Sequence, residues 1–96
     1  MINIGIIGCG RIANHHCEAI KKIRGLKIAG VCDLDLVKAQ ELASKFKTKA
    51  YKSYYQMLDE QQKINLVAII TPSGMHYEHT VDIIKKYKKN IIIEKP

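Results

Sequence analysis

A short glycine turn near the front of the chain has the spacing to hold a phosphate. Gly8-Cys9-Gly10-Arg11-Ile12-Ala13 follows the G-x-G-x-x-G/A pattern that binds the pyrophosphate of a dinucleotide. Gly8 permits the tight turn, Gly10 lets the backbone approach a phosphate with no Cβ in the way, and Ala13 is small enough for close packing of helix on strand. A helix opening here offers unpaired N–H groups and the positive end of its dipole to an anion. Arg11 adds a charge there or points to solvent, and Ile12 shares its turn. Asp33 follows at a distance suited to a carboxylate that accepts hydrogen bonds from the adenosine ribose. Asp33-Leu34-Asp35 holds no Arg or Lys for a 2′-phosphate, and a second carboxylate would repel one, so the expected cofactor is NAD rather than NADP. Asp33 could instead cap a helix, a role that Asp35 fits better.

Lys95 follows Ile91-Ile92-Ile93-Glu94, so it is expected to leave a buried strand for a crevice. A lysine there can hydrogen-bond a substrate hydroxyl. Beside an oxidised nicotinamide and partly desolvated, its pKa would fall and proton transfer would ease. A plain surface lysine is the alternative. His76 and His79 share a helix face, but two imidazoles without a third ligand make a poor metal site, and none is expected. His76, beside the Thr71-Pro72-Ser73-Gly74 turn, is the better candidate for a site. His15 and His16 diverge on their helix. Cys9 and Cys32 sit among small and apolar neighbours, as buried fillers rather than nucleophiles. The tyrosines at 51, 54, 55, 77 and 87 are not spaced as a platform for stacking bases.

These residues need a frame, and the hydrophobic pattern supplies one. Asn3 to Ile7, Leu26 to Cys32, Lys49 to Tyr51, Leu66 to Ile70 and Ile91 to Ile93 read as strands. Between them, helical spacing appears at Ala13, Cys17 and Ile20, with Gly25 as a stop. It returns at Ala39, Leu42, Ala43 and Phe46, then at Tyr54, Met57 and Leu58 behind a Ser53 cap, then at Tyr77, Thr80, Val81 and Ile84. Alternating strands and helices predict an α/β fold, a doubly wound parallel sheet of Rossmann type, with strand order 3-2-1-4-5, truncated before a sixth strand. In such a sheet, ligands lie beyond the carboxyl ends of the strands. Gly8 to Gly10, Asp33, Thr71-Pro72-Ser73 and Glu94-Lys95-Pro96 all fall on that one rim.

Composition is consistent with this frame. Ninety-six residues with 47% apolar and 26% charged suit one folded domain, residues 1–96. The longest apolar run is far too short to span a bilayer. No basic stretch precedes the first strand, so no signal peptide is expected. Three cysteines without a C-x-x-C pair fit a reducing cytoplasm. The charge of +7 raises nucleic acid as a partner, but lysine dominates and clusters at helix ends, the pattern of a solvated surface. A nucleic-acid binder has no use for the glycine turn followed by Asp33, and a methyl-donor-binding variant has none for the ends of strands four and five.

The glycine turn, Val31-Cys32-Asp33, Thr71-Pro72-Ser73-Gly74-Met75-His76 and Glu94-Lys95-Pro96 together resemble the glucose–fructose oxidoreductase/inositol dehydrogenase/rhizopine catabolism family over essentially the whole chain. The resemblance implies an N-terminal Rossmann domain that is followed in the family by a substrate domain lacking here. It also implies hydride transfer between NAD and a carbinol carbon of a sugar, inositol or nucleotide sugar. Lys95 would be the catalytic lysine, with Glu94 and Pro96 shaping its loop, often through a cis bond. Thr71, Pro72, Ser73 and His76 would line the nicotinamide side. The Thr-Pro-Ser-Gly-Met-His wording is most similar to nucleotide-sugar 3-dehydrogenases of lipopolysaccharide biosynthesis, such as those acting on UDP-N-acetylglucosaminuronate. The chain alone is expected to bind NAD without turning over a sugar, and an unpaired fifth-strand edge is a route to homo-oligomers. A stand-alone nucleotide-binding module is the non-enzymatic alternative.

Overall fold

In the computed structural model, which describes residues 1–70, 81, 83–87 and 89–93, the apolar run Ile2–Ile7 forms the first strand, β1. Its side chains alternate between two layers, as the pleat requires. Ile4 and Ile6 pack among Ala13, Cys17, Val31, Ala39, Leu42 and Ala43. Ile7 packs on the other face with Met57, Leu58, Ile64, Val67, Ile69 and Ile83. The two clusters are the two halves of the core, one under each layer of helices.

The elements follow the expected alternation. Helix α1 spans Arg11–Lys21, β2 Leu26–Cys32, α2 Leu36–Phe46, β3 Ala50–Tyr51 and α3 Tyr54–Glu60. Strand β4 is Leu66–Ile69, and β5 is Asn90–Ile93. All four ladders are parallel, in the order β3-β2-β1-β4-β5. Some strand ends differ from the expected ones by a residue. Ile70 lies outside β4, yet its N–H still bonds the Ile7 carbonyl at 2.7 Å. Val67 and Ile69 belong to one cluster, while Leu66, Ala68 and Ile70 lie half-buried against the other. Strand β4 is therefore covered on both faces, as a central parallel strand should be.

Local chemistry explains the helix ends. The Asp35 side chain accepts from the Val37 N–H and starts α2, and Ser53 accepts from the Tyr55 N–H and starts α3. Helix α1 ends before Gly25, which turns the chain into β2 at φ 93° and whose carbonyl accepts from the Ile2 N–H at 2.8 Å. Helix α2 is closed instead by Lys47 in the left-handed region, φ 55°. Of the last expected helix, Val81 is helical and Ile83–Tyr87 forms a π-helical turn. Ile83, outside the face anticipated from the spacing, is fully buried in the core.

Candidate nucleotide site

The carboxyl ends of β1, β2 and β3 meet at a cleft of about 540 Å³. Its walls come from Ile7 to Gly10 at the end of β1, Cys32 to Leu34 at the end of β2, Lys52 to Tyr55 after β3, and from Lys38 and Ile70. Through Ile70, just past β4, the cleft reaches the point between β1 and β4 where strand order reverses, the place a doubly wound sheet presents to its ligand.

The glycine turn is built as its spacing predicts. Gly8 has φ 99°, a conformation that a side chain would strain, and its N–H donates to the Cys32 carbonyl at 2.8 Å. Gly10 differs: its φ of −82° is open to any residue. A Cβ there would meet nothing within 4 Å. The fold therefore leaves vacant the space into which a phosphate would come. Ala13 is fully buried and lets α1 lie close on the sheet. Unlike α2 and α3, α1 has no side-chain cap, and its first turn holds no acid. The first N–H groups of such a helix have no intrahelical partner and lie at the positive end of its dipole, so the residues present fit a pyrophosphate. Arg11 and Ile12 are exposed in this turn.

Asp33 is half-buried at the end of β2. Its Oδ2 accepts from the Cys9 N–H and its Oδ1 from the Asp35 N–H, both at 2.8 Å. A carboxylate has about four lone-pair sites, so two such bonds leave acceptor capacity for a ribose diol. Asp35, not Asp33, caps α2, as its position suggested.

Several residues of the cleft escaped the sequence reading. No cation stands in Asp33-Leu34-Asp35, but Lys38, one turn into α2, and Lys52, just past β3, both line the cleft. Arg11, Asn14, Lys38, Glu41 and Lys45 border an adjoining hollow of about 450 Å³ that shares Cys9 and Gly10 with it. The rim rule, applied to β3, would have pointed to Lys52. The tyrosines are also less scattered than their spacing implied. The Tyr54 and Tyr55 rings stack with centroids 4.3 Å apart, Tyr87 lies 6.1 Å from Tyr55, and the Lys86 ammonium sits 4.8 Å from the Tyr55 centroid. Tyr54 and Tyr55 line the cleft.

Burial pushes the Cys9 thiol up to about 12, with the Asp33 carboxylate adding to the effect, and raises Cys32 to about 12 for the same two reasons. Both stay protonated fillers rather than nucleophiles. Among the described residues no group of three metal-ligating side chains occurs. No described helix is long and apolar enough to cross a membrane. Lys45 bonds Asn14 and pairs with Glu18, Lys49 pairs with Glu60, and Lys89 donates to the Gln62 carbonyl. Thr71, Pro72, Ser73, His76, His79, Glu94, Lys95 and Pro96 lie outside the described residues.

Comparison with known proteins bears on this geometry. The model of the GFO/IDH/MocA oxidoreductase family, NAD-binding Rossmann fold, matches residues 2–96. The chain belongs to this family. It is a GFO/IDH/MocA NAD-binding domain, and NAD is its cofactor. Glucose-6-phosphate 3-dehydrogenase of Bacillus subtilis (strain 168) is 29% identical over 96 residues, which are 100% of this chain and 26% of the relative. UDP-N-acetylglucosamine 3-dehydrogenase of Acidithiobacillus ferrooxidans is 28% identical over 92 residues, 96% of this chain and 28% of the relative. The WlbA dehydrogenase from Bordetella pertussis, solved with NADH and UDP-GlcNAcA, superposes with a TM-score of 0.88 at 27% identity, covering 99% of this chain and 29% of that one. The GFO/IDH/MocA domain thus spans about a quarter of the length of the curated relatives it matches.

Proposed function

We propose that the chain is the cofactor-binding part of an oxidoreductase that moves hydride between NAD and a carbinol carbon of a sugar or nucleotide sugar. The observation that carries this reading is the vacant space at Gly10, bounded by the uncapped start of α1 and facing the Asp33 carboxylate across one cleft. An uncapped helix start for a phosphate and a carboxylate for a ribose, lining one cleft, support a dinucleotide as the ligand. When bound, NAD supplies the hydride acceptor for the carbinol C–H.

The chain's own residues orient and fix the cofactor. Gly8, Gly10 and the N–H groups of Arg11, Ile12 and Ala13 receive the pyrophosphate, and Asp33 accepts from the ribose. Thr71, Pro72, Ser73, His76 and Glu94 border the nicotinamide side, and Lys95, two residues past the end of β5, holds or accepts the proton of the substrate hydroxyl. In this reading the active enzyme is completed by a substrate domain, so the 96-residue chain binds NAD without turnover. The substrate class is supported by relatives named for sugar and nucleotide-sugar 3-dehydrogenation. Within it, we favour oxidation at C3 of UDP-N-acetylglucosaminuronate. The Thr71-to-His76 wording motivates that choice, and the nucleotide sugar bound in the WlbA structure supports it.

The test is a calorimetric titration of the purified chain with NADH, followed by an absorbance assay with NAD and UDP-N-acetylglucosaminuronate. Saturable one-site binding without NADH production is expected. No binding would overturn the cofactor reading, and sustained NADH production would overturn the need for a further domain.

A further inference from the structure

Asp33 has more contacts than ribose recognition requires. Its Oδ2 holds the N–H of Cys9, the middle residue of the G-x-G turn, at 2.8 Å, and its Oδ1 is steadied by the Asp35 N–H at 2.8 Å. Asp35 in turn caps α2 through the Val37 N–H at 3.1 Å. The neighbouring N–H, that of Gly8, is held by the Cys32 carbonyl at 2.8 Å. The next residue, Gly10, is exposed, open on its Cβ side and followed at once by the uncapped helix. One carboxylate therefore ties the start of α2 to the centre of the phosphate turn. The residue it holds directly precedes the one a phosphate must approach.

We propose that Asp33 is a positioning residue for the phosphate-binding turn, in addition to any bond it makes to the ribose. The proposal deepens the cofactor reading above and rests on it for its ligand. Charge-assisted N–H···carboxylate bonds are stronger than neutral ones, and a turn already held in its binding geometry loses less freedom when the phosphate arrives. Removing the carboxylate should then weaken ligands that offer no ribose hydroxyls at all.

The experiment compares ADP with 2′,3′-dideoxy-ADP on the wild-type chain, on Asp33→Ala and on Asp33→Asn. Amide hydrogen exchange of Cys9 is followed by NMR in each. Asp33→Ala should weaken dideoxy-ADP by on the order of tenfold and raise Cys9 exchange similarly, while the Ile6 amide in β1 keeps its protection. Asp33→Asn keeps one oxygen, enough for the Cys9 N–H but not also for the Asp35 N–H, and should restore part of the dideoxy-ADP binding, though not the preference for ADP. The proposal is overturned if Asp33→Ala weakens ADP alone and leaves dideoxy-ADP and Cys9 exchange as in wild type, for then the carboxylate serves the ribose only. If neither nucleotide binds the wild-type chain, the cofactor reading fails, and Cys9 exchange still decides the positioning role: raised in the variant supports it, unchanged overturns it. If Asp33→Ala does not fold, the same comparison is read from Asp33→Asn, where a rise in Cys9 exchange accompanied by a matching loss of dideoxy-ADP affinity supports the proposal, and raised exchange with unchanged dideoxy-ADP affinity overturns it. Loss of dideoxy-ADP binding with Cys9 still protected overturns it.

Discussion

The Cys9 thiol donates to the backbone carbonyl of Cys32 at 3.3 Å, joining the carboxyl ends of β1 and β2 beneath the cleft. Both side chains are buried. Burial first, and the Asp33 carboxylate second, raise each thiol from 9.0 to about 12, and burial raises Cys17 to about 11. A pKa raised in the folded state gives stability that is complete below the unfolded value and lost as pH climbs toward the folded one. Between about pH 9 and 11 each buried thiol should therefore remove about 1.4 kcal/mol per pH unit. Urea unfolding across that range should show a steep decline, made shallower by Cys9→Ala or Cys32→Ala. Equal slopes in wild type and variants would contradict the assignment.

Gly5 and Gly30 are register partners on β1 and β2, and Met57 of α3 fills the hollow they leave. A Cβ on Gly5 would stand 3.0 Å from Met57 Cε, and one on Gly30 would stand 3.2 Å from Met57 Sδ. Gly5→Ala and Gly30→Ala should each cost about 1–3 kcal/mol through overpacking, and Met57→Ala about 2–5 kcal/mol through a cavity. The added methyl partly occupies the space that Met57 vacates, so the double variant Gly5→Ala, Met57→Ala should lose less than the sum. A urea-unfolding double-mutant cycle measures this. Strict additivity would mean the side chains do not share the hollow.

Lys47 ends α2 at φ 55° and ψ 49°, the left-handed position that usually falls to glycine. Lys47→Gly should raise stability by about 0.5–1 kcal/mol, the relief of a Cβ from that conformation less the entropy of a freer unfolded chain. A lower urea midpoint for the variant would show that Lys47 makes compensating contacts.

Discrimination against a 2′-phosphate should depend on Asp33, because Lys38 and Lys52 already stand in the same cleft. Wild type should prefer NADH to NADPH by about tenfold or more. Asp33→Ser removes the repelling charge and leaves both lysines, so the ratio should fall toward one or reverse, even if both ligands weaken. An unchanged ratio by calorimetry would place discrimination elsewhere.

What could be read from the sequence was what depends on neighbours along the chain. The Gly8-to-Ala13 turn, the acid at Asp33 and the caps at Asp35 and Ser53 are each defined within a few residues, and all stand where their spacing put them. The strand order followed from the alternation of elements, because parallel crossovers have one hand. What escaped depends on tertiary approach. Lys38 and Lys52 reach the cleft from a helix turn and a strand end that are not contiguous with Asp33. Tyr54, Tyr55 and Tyr87 meet only because α3 packs beside the turn at Ile83–Tyr87. The pairing of Gly5 with Gly30 passes through a register shift after Ile4, which no local pattern announces. Lys47 carries no glycine signal, so its left-handed conformation was invisible.

In the proposed function the space in front of Gly10 belongs to a phosphate of NAD, and Gly10→Asp fills that space with a carboxylate. The backbone there already suits any residue, and an added Cβ meets nothing within 4 Å. Aspartate is a favoured N-cap and complements the helix dipole, so urea unfolding should find the variant as stable as wild type or more stable. Calorimetric titration should find NADH binding weakened by on the order of a hundredfold, since a carboxylate would then occupy the phosphate's place. A variant that keeps its stability and binds NADH as wild type does would contradict the account.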